Sequence, residues 1–328
     1  MSIAIAAENL VRTFGTVRAV NNVSFEIPSG SVVGFIGANG AGKTTTMRVL
    51  ATLDQPDSGR AFINGHETRV YPDKIRDILG WMPDNYGAYA GMTVIEYLDF
   101  FARALGFTKA DRVARVADVM EFTGLTSLAE RFMNKLSKGQ GQRLCLGRAL
   151  IHDPSVMILD EPAAGLDPQA RVELKRLIRI LSEEGKTIFI SSHILAELGE
   201  MCDSMLFINN GSIIHHGSAD SLLHGSGAAI TYRVQIIGET TQLSQWCDVT
   251  PGVSLLEEIK GGVRIGLDSE SPDDIALALQ RMIGAGLKVT EFHREARKLE
   301  DAFIEMLQTQ NLPPNIPMPP LPIPAAQR

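Results

Sequence analysis

The sequence predicts an α/β protein with a small α+β appendage, on three observations. The runs Val32-Val33-Gly34-Phe35-Ile36 and Val156-Met157-Ile158-Leu159 are apolar throughout and read as buried strands. Each leads into polar residues at its C-terminal end, the edge where ligands of open α/β sheets bind. Beyond residue 229 the pattern changes to strict alternation at Ile230, Tyr232, Val234 and Ile236, as in a half-buried strand.

In chain order, Ile3 to Val11 is a short strand, and Val20 to Ile27 alternates as a half-buried strand should. Phe14-Gly15 lies between them; alone, Phe14 reads as packing, although an aromatic just upstream of a nucleotide loop can stack on adenine. Pro28-Ser29-Gly30 is a turn into the strand at Val32. That strand runs into Gly37-Ala38-Asn39-Gly40-Ala41-Gly42-Lys43-Thr44-Thr45, and a helix follows from Met47-Arg48-Val49-Leu50. Strand, Gly-rich turn and helix opening on Gly-Lys-Thr are the parts of a phosphate-binding loop. The glycines let backbone N–H groups turn toward phosphate oxygens, and the helix N-terminus adds partial positive charge. Lys43 is placed to reach the β- and γ-phosphates and the Thr44 hydroxyl to ligate Mg²⁺.

Asp54 to Gly59 reads as a loop, Ala61 to Ile63 as a strand ending at the Asn64-Gly65 turn, and Ile78 to Met82 as a strand running into Pro83-Asp84-Asn85. From Val94 to about Arg131 the pattern is helical, with Ile95, Leu98, Phe101 and Leu105 on one face, an inserted helical block. Leu136-Ser137-Lys138-Gly139-Gln140 opens a helix to about Ile151, with Ser137 as N-cap and a polar mouth suited to a second phosphate contact. The strand from Val156 then delivers Asp160 and Glu161. In a phosphate-loop enzyme, the first carboxylate holds Mg²⁺ and the second orients and deprotonates a water for attack on the γ-phosphate. Gly165-Leu166-Asp167-Pro168 starts the next helix, through about Glu184. Thr187 to Ile190 is a strand with Ser191-Ser192-His193 at its exit, so His193 falls on the sheet edge of Asp160 and Glu161, in reach of a γ-phosphate. Met205–Asn209 and Ser212–Ile214 flank the hairpin signal Asn210-Gly211, with His215-His216 at the polar hairpin end. In the appendage, Val263, Ile265 and Leu267 mark a second strand, Pro272 to Ile283 a helix, Leu287–Val289 a third strand, and Leu299, Phe303 and Leu307 a last helix. The stretch from 310 to 328 is mostly Pro and small residues and is expected to be extended or disordered.

The bulk numbers bound the function. A chain of 328 residues can hold one large domain and a smaller one, and a net charge of −7 argues against a general nucleic-acid binder. Cys145, Cys202 and Cys247 make no metal spacing or disulfide framework, which fits a reducing compartment. No apolar run reaches the roughly 20 residues of a membrane span, and the N-terminus has no signal-peptide pattern. A cytoplasmic protein is expected, with any membrane role exercised through another chain.

Together these motifs resemble the ATPase subunits of ATP-binding-cassette (ABC) transporters, over about residues 3 to 224. Gly37–Thr44 resembles the Walker A loop, Asp160-Glu161 Walker B with its catalytic glutamate, Leu136–Gln140 the signature motif, Gly165–Asp167 the D-loop and His193 the switch histidine. The resemblance assigns Phe14 to adenine stacking. It implies the P-loop NTPase fold of ABC ATPases: an antiparallel β subdomain and a helical subdomain at about 85–136 within a domain of 1–224, then an α+β domain of 225–309 and the tail. It also implies ATP and Mg²⁺ as cofactors, a head-to-tail homodimer (or paired ATPase subunit) in which one signature closes on the other Walker A, and a transmembrane permease partner at the inner face of the cell membrane. Two positions depart from the pattern. Asp84 stands where Gln is usual, so a carboxylate becomes the expected Mg²⁺ ligand, and Lys138 stands where Gly is commonest. Lys138 and the Leu299–Phe303 segment resemble a subgroup that drives small exporters. The alternatives are a soluble ABC ATPase acting on ribosomes or nucleic acid, although this chain has one cassette and no sustained heptads, and a regulatory nucleotide-binding module without turnover.

Overall fold

The computed structural model describes residues 2–85, 87, 89, 91–199, 201–218, 221, 230–259, 261–269 and 271–295. They divide into two units, Met1–Ala219 and Asp220–Arg328. The first contains β1 (Ile3–Phe14), β2 (Val17–Pro28), β3 (Val32–Ile36), α1 (Lys43–Leu50), β4 (Ser58–Ile63), β5 (His66–Glu67), α2 (Pro72–Ile78), β6 (Leu79–Met82), α3 (Val94–Ala104), α4 (Lys109–Phe122), α5 (Lys138–Leu150), β7 (Val156–Leu159), α6 (Pro168–Glu183), β8 (Thr187–Ser192), α7 (Leu195–Leu198), β9 (Ser204–Asn209) and β10 (Ser212–Gly217).

Two sheets organise this unit. One is antiparallel, in the order β2-β1-β4-β5; the other has the order β10-β9-β3-β8-β7-β6. In the second, β9, β3, β8, β7 and β6 are parallel and β10 joins as an antiparallel edge. Every residue of β3 and β7 is buried, because a central parallel strand is covered on both faces; that is why they read as continuous apolar runs. Phe35 of β3 and Phe189 of β8 stack with centroids 5.0 Å apart, and Phe25 of β2 packs on Phe189 at 5.6 Å, so an aromatic cluster joins the two sheets. Asn64-Gly65 and Asn210-Gly211 both have positive φ at each residue, the geometry of two-residue hairpin turns. Apart from the core between the sheets, α3, α4 and α5 bury Tyr97, Leu98, Val116, Val119 and Leu144 in a core of their own.

The second unit contains β11 (Ile230–Ile237), α8 (Thr240–Val249), β12 (Val253–Ile259), β13 (Gly262–Leu267), α9 (Pro272–Gly284) and β14 (Lys288–Arg294). Its sheet has the order β12-β13-β11-β14 and is antiparallel throughout. The chain order β-α-β-β-α-β is that of the ferredoxin-like split βαβ motif. Tyr232, Val234, Val263 and Ile265 on one face bury against Leu243, Cys247 and Met282 of the helices.

Several elements differ from expectation. Ile78 ends α2 rather than beginning β6, β4 begins within the expected loop at Ser58, and β8 runs on to Ser192. His215 and His216 lie within β10, paired with Phe207 and Leu206, and not at the hairpin end. The second unit has four described strands where three were expected. The 224/225 boundary lies outside the described residues, as do the Leu299–Leu307 helix and the 310–328 tail.

Candidate nucleotide-binding and catalytic site

The phosphate loop turns between β3 and α1. Gly42, the N-cap of α1, has φ 109°, a backbone conformation that side chains strain to reach, and a Cβ there would collide with the Ala19 carbonyl oxygen. Ala38, Asn39 and Gly40 at the crest are exposed, whereas Gly37, Ala41 and Gly42 are buried. The Ala41 N–H bonds the Ala38 carbonyl, and the Thr46 hydroxyl donates to the Gly42 carbonyl at 2.9 Å. Thr44 and Thr45 sit in the first turn of α1.

Lys43 lies across this loop. Its ammonium donates to the Gly37 carbonyl at 2.7 Å and stands 3.2 Å from Oε1 of Glu161, with only 5% of the side chain exposed. The other Glu161 oxygen, Oε2, is 2.8 Å from Nδ1 of His193. A continuous chain Lys43–Glu161–His193 therefore joins residues from α1, from the segment after β7 and from the end of β8. They meet because β3, β8 and β7 are neighbours and all release their side chains at one sheet edge.

Asp160 lies beneath this chain and is completely buried. Burial pushes its carboxyl above the ordinary carboxylate range; the Ser191 and Thr44 hydroxyls pull it down, while the Asp84 and Glu161 carboxylates push it further up. Oδ1 accepts from Ser191, and Oδ2 is buried with no hydrogen-bond partner. An unpartnered buried carboxylate oxygen, a hydroxyl beside it and a second carboxylate in electrostatic range form a hard-oxygen donor set that fits Mg²⁺. Asp84 accepts from the Asn85 N–H at 2.7 Å, within its own turn.

The signature segment is built on a second spot. Ser137 caps α5, accepting from the Gln140 N–H, while the Gln140 side chain returns to the Ser137 N–H in a capping box. Leu136 is half-buried before the cap. A Cβ at Gly139 would stand 2.7 Å from that of Ala170, so the segment packs closely on the start of α6. The Lys138 side chain lies against Gly165, and Asp167 caps α6 by accepting from the Ala170 N–H at 2.9 Å. Signature and D-loop residues are thus one packed cluster. Phe14 is 48% exposed at the end of β1, with the Arg12 guanidinium 4.6 Å over its ring. Ser191, joined to both Asp160 and Glu161, had no assigned role from sequence. Its only signal there was a hydroxyl residue two positions before His193, at the end of an otherwise apolar strand.

Residues 20–164 match the family model described as ABC transporter. The chain is 38% identical to the ABC transporter ATP-binding protein NatA of Bacillus subtilis (strain 168), over 63% of this chain and 84% of that protein. It is 37% identical to the Nod factor export ATP-binding protein I of Burkholderia orbicola (strain AU 1054), over 68% of this chain and 74% of that one. Among solved structures, one titled as the ATP binding subunit of an ABC transporter superposes with a TM-score of 0.62, at 29% identity over 68% of this chain and 93% of its own. The phosphate loop, the paired carboxylates and these likenesses place the chain in one family: it is an ATP-binding, ATP-hydrolysing protein of the ABC transporter family.

Proposed function

We propose that this ATPase dimerises on ATP and powers export through a separate permease, with Glu161 as the base that activates water. The observation that carries the reading is the Lys43–Glu161–His193 chain, which places one carboxylate between the phosphate-loop lysine and the switch histidine. Backbone N–H groups from Gly37 to Thr45 cradle the phosphates, and Phe14 stacks on adenine. Lys43 leaves Glu161 for the β- and γ-phosphates, which frees Glu161 to take a proton from water while His193 holds its other oxygen. Mg²⁺ would be held by Thr44, Asp160 and Asp84 and would neutralise phosphate charge. Leu136–Gln140 and Asp167 of one copy complete the phosphate site of a second. The Glu161→Gln variant should lose hydrolysis by about 10²–10⁴-fold and accumulate as an ATP-bound dimer in size-exclusion chromatography. A variant that stays monomeric with ATP and Mg²⁺ would sink the composite site.

The relative that serves Nod factor export supports an export role. No helix among the described residues is long and apolar enough to cross a membrane, and in this reading the separate permease supplies the translocation path. A groove of about 660 Å³ between α3 and α4, lined by Ile95, Val116 and Met120 with Glu96, Asp99 and Glu121, suits a short amphipathic segment of the permease. Purification from native membranes through an N-terminal tag should bring down a stoichiometric polytopic protein. Recovery with ribosomes would favour the soluble ABC ATPase instead.

A further inference from the structure

Ser191 is wholly buried between β7 and β3, and its hydroxyl does two jobs at once. It donates to Oδ1 of Asp160 at 2.7 Å and accepts from the backbone N–H of Glu161 at 2.8 Å. These two partners stand just past the end of β7, whose parallel pairing with β8 stops at Leu159 opposite Ile190. The Asp160 N–H turns the other way, to the Met82 carbonyl of β6. From there on, this hydroxyl takes the place of a ladder bond between the two strands. It does so at a strained point, because Glu161 has φ 48°, a left-handed conformation that a non-glycine residue keeps only where its surroundings hold it.

We propose that Ser191 is a positioning residue for hydrolysis: its hydroxyl holds the Glu161 backbone in the turn that aims the carboxylate at Lys43 and His193, and it occupies Oδ1 of Asp160 so that Oδ2 is left for a cation. A hydroxyl is the fitting group, since it donates and accepts in one small volume. An alanine leaves both partners unpaired, and a cysteine fills the space with a weak donor and a weak acceptor. Ser191 also lies two residues before His193, which follows directly on the end of β8, so strand, base and metal ligand form one hydrogen-bonded unit. The assignment rests on the reading of Glu161 as base and Asp160 as metal ligand.

The test compares Ser191→Ala, Ser191→Cys, Ser191→Thr and Glu161→Gln in the full chain. Steady-state ATP hydrolysis is read alongside Mn²⁺ binding in the presence of ADP, followed by electron paramagnetic resonance. The alanine and cysteine variants should each lose about tenfold in kcat with KM for ATP within about twofold, and bind Mn²⁺ several-fold more weakly, while threonine recovers most of both. If the alanine variant does not fold, the cysteine variant, matched in volume, carries the comparison. Wild-type kcat and Mn²⁺ affinity in both variants would overturn the assignment, as would recovery by cysteine, which would make Ser191 a space-filler. Loss of hydrolysis in Glu161→Gln beside wild-type rates at position 191 overturns this assignment alone. Retained hydrolysis in Glu161→Gln overturns the underlying reading of the site, and the Ser191 role falls with it.

Discussion

A single methyl group at Gly42 would meet the Ala19 carbonyl oxygen and force an alanine into φ 109°. Gly42→Ala should therefore cost at least about 1–3 kcal/mol in chemical denaturation, and isothermal titration should find ATP binding lost, because the loop must open to relieve the clash. Asp160 presents the opposite trade. Its folded carboxyl titrates above its unfolded value, so the ionised form weighs against the free protein at neutral pH. Asp160→Asn should raise the melting temperature of the nucleotide-free protein and lower hydrolysis by about 10²-fold or more. The residues of the phosphate loop, the two carboxylates and His193 were readable because each sits at a fixed spacing from an apolar strand. Ser191 was not, because its role is a contact across two strands that no local spacing encodes. The Lys138 contact with Gly165 escaped for the same reason.

His152, just past α5, bonds the Leu79 carbonyl of β6 through Nε2 at 3.0 Å. Burial holds its imidazole below the ordinary value, with the Arg115 charge adding to the effect. The unfolded chain thus takes up the proton first on acidification. The stability His152 contributes is present above the ordinary imidazole value of about 6.5 and is lost as pH falls below it. Urea midpoints should drop between pH 7.5 and 5.5, and His152→Gln, which keeps a donor for Leu79 but does not protonate, should flatten part of that drop. At the entry to α3, the Thr93–Glu96 capping box fixes where the helix starts. Thr93→Ala should cost about 1 kcal/mol, read as a shifted denaturation midpoint. The long elements announced themselves by period, whereas the missed ones are short or irregular. α2 has seven residues and starts on Pro72, too few for a periodic signature. β12 carries a register shift between Leu255 and Glu257 that breaks its alternation and leaves Leu256 exposed.

Each unit has its own buried core, one around Phe25, Phe35 and Phe189 and one around Tyr232, Val234 and Met282. Scanning calorimetry should resolve two transitions. ATP with Mg²⁺ at a hundredfold its Kd should stabilise only the unit that holds the phosphate loop, by about 2.7 kcal/mol. The division into an α/β unit and an α+β unit was legible because alternation replaces continuous apolar runs beyond residue 229; the ferredoxin-like order of the second was not, since β12 and α8 were missing from the pattern. The placing of β3 carries a further consequence, for synthesis. Its partners in the sheet are Thr187–Ser192 and Ser204–Asn209, so the strand that leads into the phosphate loop is made early and stays unpaired until most of the first unit has been translated. At ordinary elongation rates that interval is on the order of ten seconds. Over that interval the growing chain exposes an apolar strand with no neighbour, and the loop beside it lacks Glu161 and His193. The ribosome-bound polypeptide therefore has no complete ATP site to steady it, and β3 gains both of its neighbours only once the chain has emerged past Asn209.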